Sequence, residues 1–490
     1  MSNVNLFFRK IANFNFSNKE LFFLLILSQV ILYFFFIPDY LIPYQINITG
    51  ADAPSYRDFD FSNLKVILSQ HRTFGLPLII KIYEIFSETL LFWPQTNYIV
   101  FCISTIILLI CLLNTNYNKL FSFFFVIGIF GSHNLYHFLK NWSEIYSACC
   151  IIISLSFFLL SLKYNKIFFY FLCAFFLFCS YQIRPSFIVY IFIFPLYVMI
   201  QNIILKNKKL FKNVFKFSSF TILPFILFVA LRFIITDHFG ITPFAGVNIA
   251  GHAVHYLSDK DVNSLSNEHK KFAEGVLERK KNHRHPCNLF LDELILKDVN
   301  PRKIKKRCFN VYVMSGWLEM IKVTKNLEPF PKNDYRNFNS WEHVETLGNF
   351  FTNIGNNNEI DSRLSYFAWE LILKNYKFDY IKWLFLSFYE SLYLQFYSLF
   401  KLIILYFISL IFFIFFKIIK IKKKNYINRN DKITPLLLSI FFIQFLSLFL
   451  ISMTNVPYIR ALSPQSIFFV PAIMSFLIFY FFYDKQEKIQ

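Results

Sequence analysis

From Leu21 onward, long apolar runs alternate with short polar clusters. The runs come close to the roughly 20 residues an α-helix needs to cross a bilayer. Ten of them stand at about 20–42, 96–114, 119–132, 144–162, 166–182, 186–205, 215–236, 397–417, 433–453 and 464–483. The third is short, and its helix is expected to continue past His133. No small-residue cleavage site follows the first run, which reads as an uncleaved anchor. Between the seventh and eighth runs the pattern changes. Residues 237–380 carry both signs of charge and are too long for a simple connection. They predict a small, mostly helical extracytoplasmic insertion. Within it, 261–283 has a helical pattern with polar N-terminal candidates from Ser266 to His269. The aromatic, amphipathic stretch 364–396 predicts a segment lying along the membrane interface. No repeat of solenoid length is visible, nor is an inverted repeat of the transporter kind.

Composition agrees with the runs. Of 490 residues, 56% are hydrophobic and 16% charged, against about 45–50% and about 25% in soluble domains. This excludes a soluble enzyme, a disordered tail and a disulfide scaffold. The 69 Phe accompany abundant Ile, Asn and Lys, all with A/T-rich codons, so part of the bias belongs to the genome. The net charge of +20 would suggest nucleic acid in a soluble protein. Its placement says otherwise. With the N-terminus in the cytoplasm, the inner segments hold Arg9, Lys10, Lys19, Lys119, Lys163, Lys166, the 206–216 lysines and the 417–432 cluster, about +16 once Glu20 and Asp431 are subtracted. The chain therefore reads as an all-α polytopic membrane protein of about ten transmembrane helices, with both termini cytoplasmic. Its parts are a membrane module (1–236) with a first outer loop (43–95), the insertion (237–380) and C-terminal membrane helices (381–490).

The candidate chemistry lies in the outward turns. Thr49-Gly50-Ala51-Asp52-Ala53-Pro54-Ser55-Tyr56 follows the first run, with Asp58 and Asp60 just beyond. A carboxylate near the membrane surface can serve as a general base, and the plainer alternative is a solvated loop carboxylate. Arg72-Thr73-Phe74-Gly75-Leu76-Pro77 comes next, then Ser143-Glu144, Arg184-Pro185 and Arg460-Ala461-Leu462-Ser463-Pro464. Arginine suits phosphate oxygens and is costly at a membrane edge unless paired; the alternative for each is snorkelling. Glu144 reads either as a site residue or as a cap for its helix. His133 and His137 have a metal-ligand spacing but lack a third ligand at helical spacing and the HExxH form. Cys287 and Cys308 share the insertion and could pair there; the other six cysteines fall in or near apolar runs. No GxxxxGK[ST], GxGxxG or GxSxG motif is present.

In this order the motifs resemble the GT-C superfamily of integral-membrane glycosyltransferases. The likeness is to proteins of glycosyltransferase family 39, the protein-mannosyltransferase and aminoarabinose-transferase group. It covers roughly residues 15–240 well and the last hundred loosely. Phe74, Leu76 and Ala461 depart from the family pattern at positions where Pro, Tyr and Tyr are usual. The resemblance implies a sugar carried on a polyprenyl phosphate and passed to an extracytoplasmic acceptor (a glycolipid, a glycan or a protein), with no cofactor and no nucleic-acid partner. It implies Asp52 as base, with Asp58 or Asp60 as alternatives. Arg184, Arg460 and Arg72 would hold the donor phosphate, supported by Tyr56 and Glu144. The expected location is a cell inner membrane. The competing classes are a polysaccharide polymerase or ligase, and a non-enzymatic flippase or scaffold. A transporter would want ionisable groups at mid-membrane, which few of these runs carry.

Overall fold

The computed structural model describes residues 17–36, 56–70, 72–86, 93–131, 143–204, 210–243 and 432–454, with parts of 245–274, 357–389 and 467–476. Among these residues there is no strand. The helices are α1 (Asn18–Phe36), α2 (Leu64–Ser69), α3 (Gly75–Phe86), α4 (Trp93–Asn114), α5 (Lys119–Gly131), α6 (Glu144–Tyr164), α7 (Ile167–Ile183), α8 (Ile193–Ile204), α9 (Leu210–Thr236), α10 (Asn357–Leu371) and α11 (Ile433–Thr454). A 3-10 stretch, Pro185–Phe192, leads into α8. Among the described residues, five segments are long and apolar enough to cross a membrane: Trp93–Asn114, Glu144–Tyr164, Pro185–Ile204, Phe211–Thr236 and Ile433–Leu450. Helix α7 is apolar but shorter. The expected span at 397–417 lies outside the described residues, and only parts of the one at 464–483 fall within them. Large apolar side chains such as Phe23, Phe34, Phe171, Phe215 and Ile234 face outward from the bundle, a surface suited to lipid tails.

Small polar residues bring α6 and α7 together. Ser147, Ser154 and Ser161 recur every seven residues on α6 and are fully buried. Ser147 Oγ donates to the Ser180 carbonyl at 3.0 Å and Ser154 Oγ to the Cys173 carbonyl at 2.8 Å. With no hydrophobic drive between helices in lipid, such close contacts are a main source of association. Helix α1 is tied to α4 in the same way: Gln29 Nε2 donates to Thr105 Oγ1 at 3.2 Å, and the Tyr98 hydroxyl donates to the Gln29 carbonyl at 2.6 Å.

Asparagines make the turns at one end of the bundle. Asn116 and Asn165 adopt left-handed backbone, φ 61° and 50°, which Asn tolerates better than most residues. Asn165 closes α6 by donating its N–H to the Ser161 carbonyl. Lysines gather on these turns. Lys163 donates to the Asn114 carbonyl, Lys432 to the Thr115 carbonyl at 2.8 Å, and Lys216 to Asn165 Oδ1 at 2.9 Å. The opposite end carries Glu144, Arg184 and Arg232. The lysines and arginines that the sequence assigns to opposite sides are thus sorted to opposite ends of the bundle.

The insertion has its own core. Leu364, Phe367, Ala368 and Leu371 form the stripe of α10 that packs on Ile249, Ala253, Leu257, Leu265 and Phe272. This corrects the sequence expectation for the first part of 364–396: the stripe meets protein and not a membrane surface. Periodicity shows that a face is buried but not by what. Farther on, Phe378, Phe385 and Tyr389 are exposed. Ser266 stands just before the helical residues that begin at 267, and its N–H and hydroxyl donate to Glu370 at 2.9 and 3.0 Å. Burial works to raise the Glu370 carboxyl, but bonds from Lys374, His269 and Ser266 hold it down to about 2.

One junction joins insertion, first loop and bundle. Arg232, at the end of α9, is 1% exposed. Its Nε donates to the Leu68 carbonyl of α2 at 2.8 Å, Nη1 to the Gly240 carbonyl at 2.9 Å, and Nη2 to Asn358 Oδ1 of α10 at 3.0 Å. Beside it, His238 Nε2 lies 3.7 Å from Asp361 Oδ2, and Asp361 Oδ1 accepts the Gly246 N–H at 2.7 Å. Burial first, and the Arg232 charge second, push His238 down to about 4.

This sets a pH dependence. Between the ordinary value of 6.5 and about 4 the unfolded chain binds more protons at His238 than the folded one. The His238 contribution is therefore complete above pH 6.5 and is lost as pH falls toward 4. Thermal unfolding of the purified chain should show a lower Tm at pH 4.5 than at pH 7.5, and His238→Gln should flatten that difference. An equal drop in both proteins would refute the assignment.

Candidate functional site

The site is built on the turn between α7 and α8. Pro185 disfavours helical backbone in the residue before it, and Arg184 is extended at φ −143°, ψ 109°. The break takes the Arg184 side chain off the α7 ladder and toward the start of α6. There Nη1 lies 2.6 Å from Glu144 Oε1 and 3.2 Å from Ser143 Oγ, while Nε donates to Ser186 Oγ at 3.2 Å. Glu144 is 1% exposed. Its negative charge also sits in the first turn of α6, where the helix dipole favours it. Of the two sequence alternatives for Glu144, capping alone is too little, since its carboxylate is the counter-ion of Arg184. Arg184 is turned toward that carboxylate and paired with it. Its second fork nitrogen, Nη2, has no protein partner among the described residues.

The first loop rests directly on this turn. A Cβ on Gly75 would stand 2.6 Å from the Gln182 carbonyl carbon and 2.7 Å from the Ile183 nitrogen. Only glycine allows this approach of two backbones. It places the start of α3, three residues after Arg72, against the end of α7, just before Arg184. The Arg72 guanidinium lies over the Tyr56 ring at 4.5 Å, a cation–π contact, and Tyr56 is itself buried. Arg72, Tyr56, Glu144 and Arg184 are thus brought to one end of the bundle. Asp58 and Asp60 are exposed. Asp60 Oδ1 accepts the Ser62 N–H at 2.7 Å, and Gln70 bonds the Asp60 backbone through both its amide atoms, so Asp60 is occupied in its own turn. Asp52, Arg460, His133, His137, Cys287 and Cys308 lie outside the described residues.

Neutral polar groups that the sequence did not single out line the same end. Trp93 packs against Tyr146 and Tyr83, with ring centroids 5.4 and 5.2 Å apart. The Trp93 indole nitrogen, the Tyr181 hydroxyl and both amide atoms of Gln182 are buried without a hydrogen-bond partner among the described residues. Buried polar groups without partners are uncommon, and several of them fall at this end. Arg232 was also missed. Its signal was there: an arginine inside an apolar run is itself a functional flag.

Two variants test this construction. Gly75→Ala forces two backbones apart, a clash of the overpacking kind that costs about 1–3 kcal/mol, and should lower the Tm of the purified chain. Glu144→Leu strands the Arg184 charge and should cost about 3 kcal/mol or more, while Glu144→Gln, which keeps an acceptor, should cost less. Equal stability of Glu144→Leu and the unaltered chain would show that the pair does not hold the turn.

Comparison of the chain with known proteins finds no matching protein family, no matching curated protein and no matching solved structure.

Proposed function

We propose that the chain is an integral-membrane glycosyltransferase of the GT-C kind, which moves a sugar from a polyprenyl-phosphate donor to an acceptor outside the cytoplasm. In this proposal about ten helices cross a bacterial inner membrane, both termini are cytoplasmic, and the arginine end faces outward. The lysine end then faces the cytoplasm, as positive charge near span ends favours.

The observation that carries the proposal is the seating of Gly75 on Gln182–Ile183. It brings the Arg72 loop onto the Arg184–Glu144 turn, so two motifs more than a hundred residues apart meet at one bundle end. The chemistry follows from the residue types. The acceptor oxygen or nitrogen attacks the anomeric carbon and gives its proton to a carboxylate, Asp52 in the first instance. The bond from the anomeric carbon to the phosphate oxygen breaks, and the polyprenyl phosphate leaves with the electron pair. Arg184, Arg72 and Arg460 would stabilise that developing charge. Glu144 tempers the attraction, because it already neutralises Arg184, and it keeps the fork aimed. A phosphate would then bind through Arg184 Nη2 and the remaining arginines, tightly enough to enter and weakly enough to leave. Asp58 and Asp60, exposed in the same loop, are the alternative candidates for the base.

The test compares lipid extracts and surface glycans of cells with and without the protein by mass spectrometry. Loss of one sugar from one acceptor is expected, and an unchanged profile would favour a scaffold. In the same assay Asp52→Asn should reduce transfer by about 10²- to 10⁴-fold, the usual worth of a general base, with membrane insertion retained. Full transfer by that variant would remove Asp52 from the mechanism.

A further inference from the structure

We infer that Arg232 is a positioning residue that makes the placement of the first loop conditional on the docking of α10. The coupling is structural and stands apart from the chemistry of the site. Its effect on a donor phosphate rests on the transferase proposal.

Arg232 has no ion-pair partner among the described residues. Its charge is satisfied by three neutral oxygens from three segments: Leu68 in the first loop, Gly240 beyond α9, and Asn358 on α10. The guanidinium is planar and its donors are fixed in one fork, so they cannot be re-aimed one at a time. Withdrawing Asn358 leaves a buried N–H without an acceptor, and the group must turn to find another. That motion takes Nε off the Leu68 carbonyl. The three contacts are therefore made or lost together.

Leu68 is one anchor of the loop next to Arg72. It packs with Phe228 and Val229 of α9, and Gly75 on Gln182 is the second anchor. Arg72 lies between them, over Tyr56. With both anchors engaged, the Arg72 guanidinium has a fixed place near the Arg184 turn. With the Leu68 anchor released, the segment loses its backbone hydrogen bond to α9 and its place is less tightly fixed. Helix α10 is in turn seated at two points, Asn358 on Arg232 and Asp361 on the Gly246 N–H. At the second point the backbones are so close that a Cβ on Gly246 would overlap the Asp361 carbonyl oxygen. Displacement of α10, for instance by an acceptor bound to the insertion, would be felt at Arg72. By linkage, a ligand held by Arg72 would favour the docked state of α10.

The test is hydrogen exchange on the full-length protein in lipid nanodiscs, read by mass spectrometry. Asn358→Leu removes the acceptor from a segment outside α2. It should raise exchange of the Leu64–Ser69 amides by about tenfold or more, the worth of a buried hydrogen bond to a charged group. Asn358→Asp keeps an acceptor oxygen and should stay within about twofold of the unaltered chain on the same scale. A rise confined to 357–371 in Asn358→Leu, or the same rise in both variants, would overturn the inference. Arg232→Lys keeps the charge and loses the fork, and guards against a poorly folded Asn358→Leu. It should loosen 64–69 and 357–371 together, and loosening of only one would again overturn the inference. A transfer assay separates the two proposals: raised exchange without any transferase activity in the unaltered protein would count against the transferase and leave the coupling intact.

Discussion

A guanidinium inside an apolar bundle must find protein oxygen, because lipid offers none and desolvation without a partner is prohibitive. Two arginines meet this constraint at one end of the structure, and they meet it differently. Arg184 takes a carboxylate, Glu144. Among the described residues, Arg232 has no carboxylate within ion-pair distance and bonds instead to oxygens from the first loop, the turn beyond its own helix and the insertion. The first solution fixes the α6–α7 turn. The second fixes how the loop and the insertion sit on the bundle. Most of what positions the candidate site follows from these two requirements.

The other end is organised by a weaker rule. Lys163, Lys216 and Lys432 bind carbonyl or amide oxygens on Asn-rich turns, and Lys216 also lies 3.9 Å from the centre of the Tyr170 ring. These contacts involve exposed or half-exposed ammonium groups with several alternative partners in water. They tidy the turns without locking them. The buried serines of α6 fix the helix spacing in between, since a hydroxyl donated across an interface admits close backbones. The two ends thus differ: charge is buried and fully hydrogen-bonded or paired at the arginine end, and lies at exposed or half-exposed ammonium groups at the lysine end.

The geometry bears on what the arginine end can do. A fully free arginine cluster would bind any phosphate, product as well as substrate. Pairing Arg184 with Glu144 lowers that attraction and fixes the direction of the remaining donor. The neutral groups nearby, the Gln182 amide and the Trp93 indole, add hydrogen-bonding capacity without adding charge. Hydroxyl-rich ligands are recognised by such groups, and phosphates by the arginines. In the transferase we propose, the lipid-linked sugar phosphate would use both kinds.

Much of this was legible in the residues. The apolar runs place α4, α6, the Pro185–Ile204 segment, α9 and α11 to within about five residues, because a helix that crosses lipid must be apolar for its whole length. Lysine placement sorts the ends for a similar reason. The Arg-Pro and Ser-Glu motifs flag Arg184 and Glu144 as candidates, although the linear chain cannot show that they are partners 40 residues apart. Three things were not legible. The stripe of α10 reads the same whether it meets lipid or protein, and only its neighbours decide. Gly75 is one small residue among many until the Gln182 backbone is seen against it. Arg232 looks like an isolated charge in an apolar run, and its partners at Leu68 and Asn358 lie 164 and 126 residues away. Sequence by itself determined which stretches must leave water, because that depends on local composition. Tertiary structure alone decided which buried charge meets which oxygen, because a guanidinium's partners are set by where distant segments come together and not by the residues beside it.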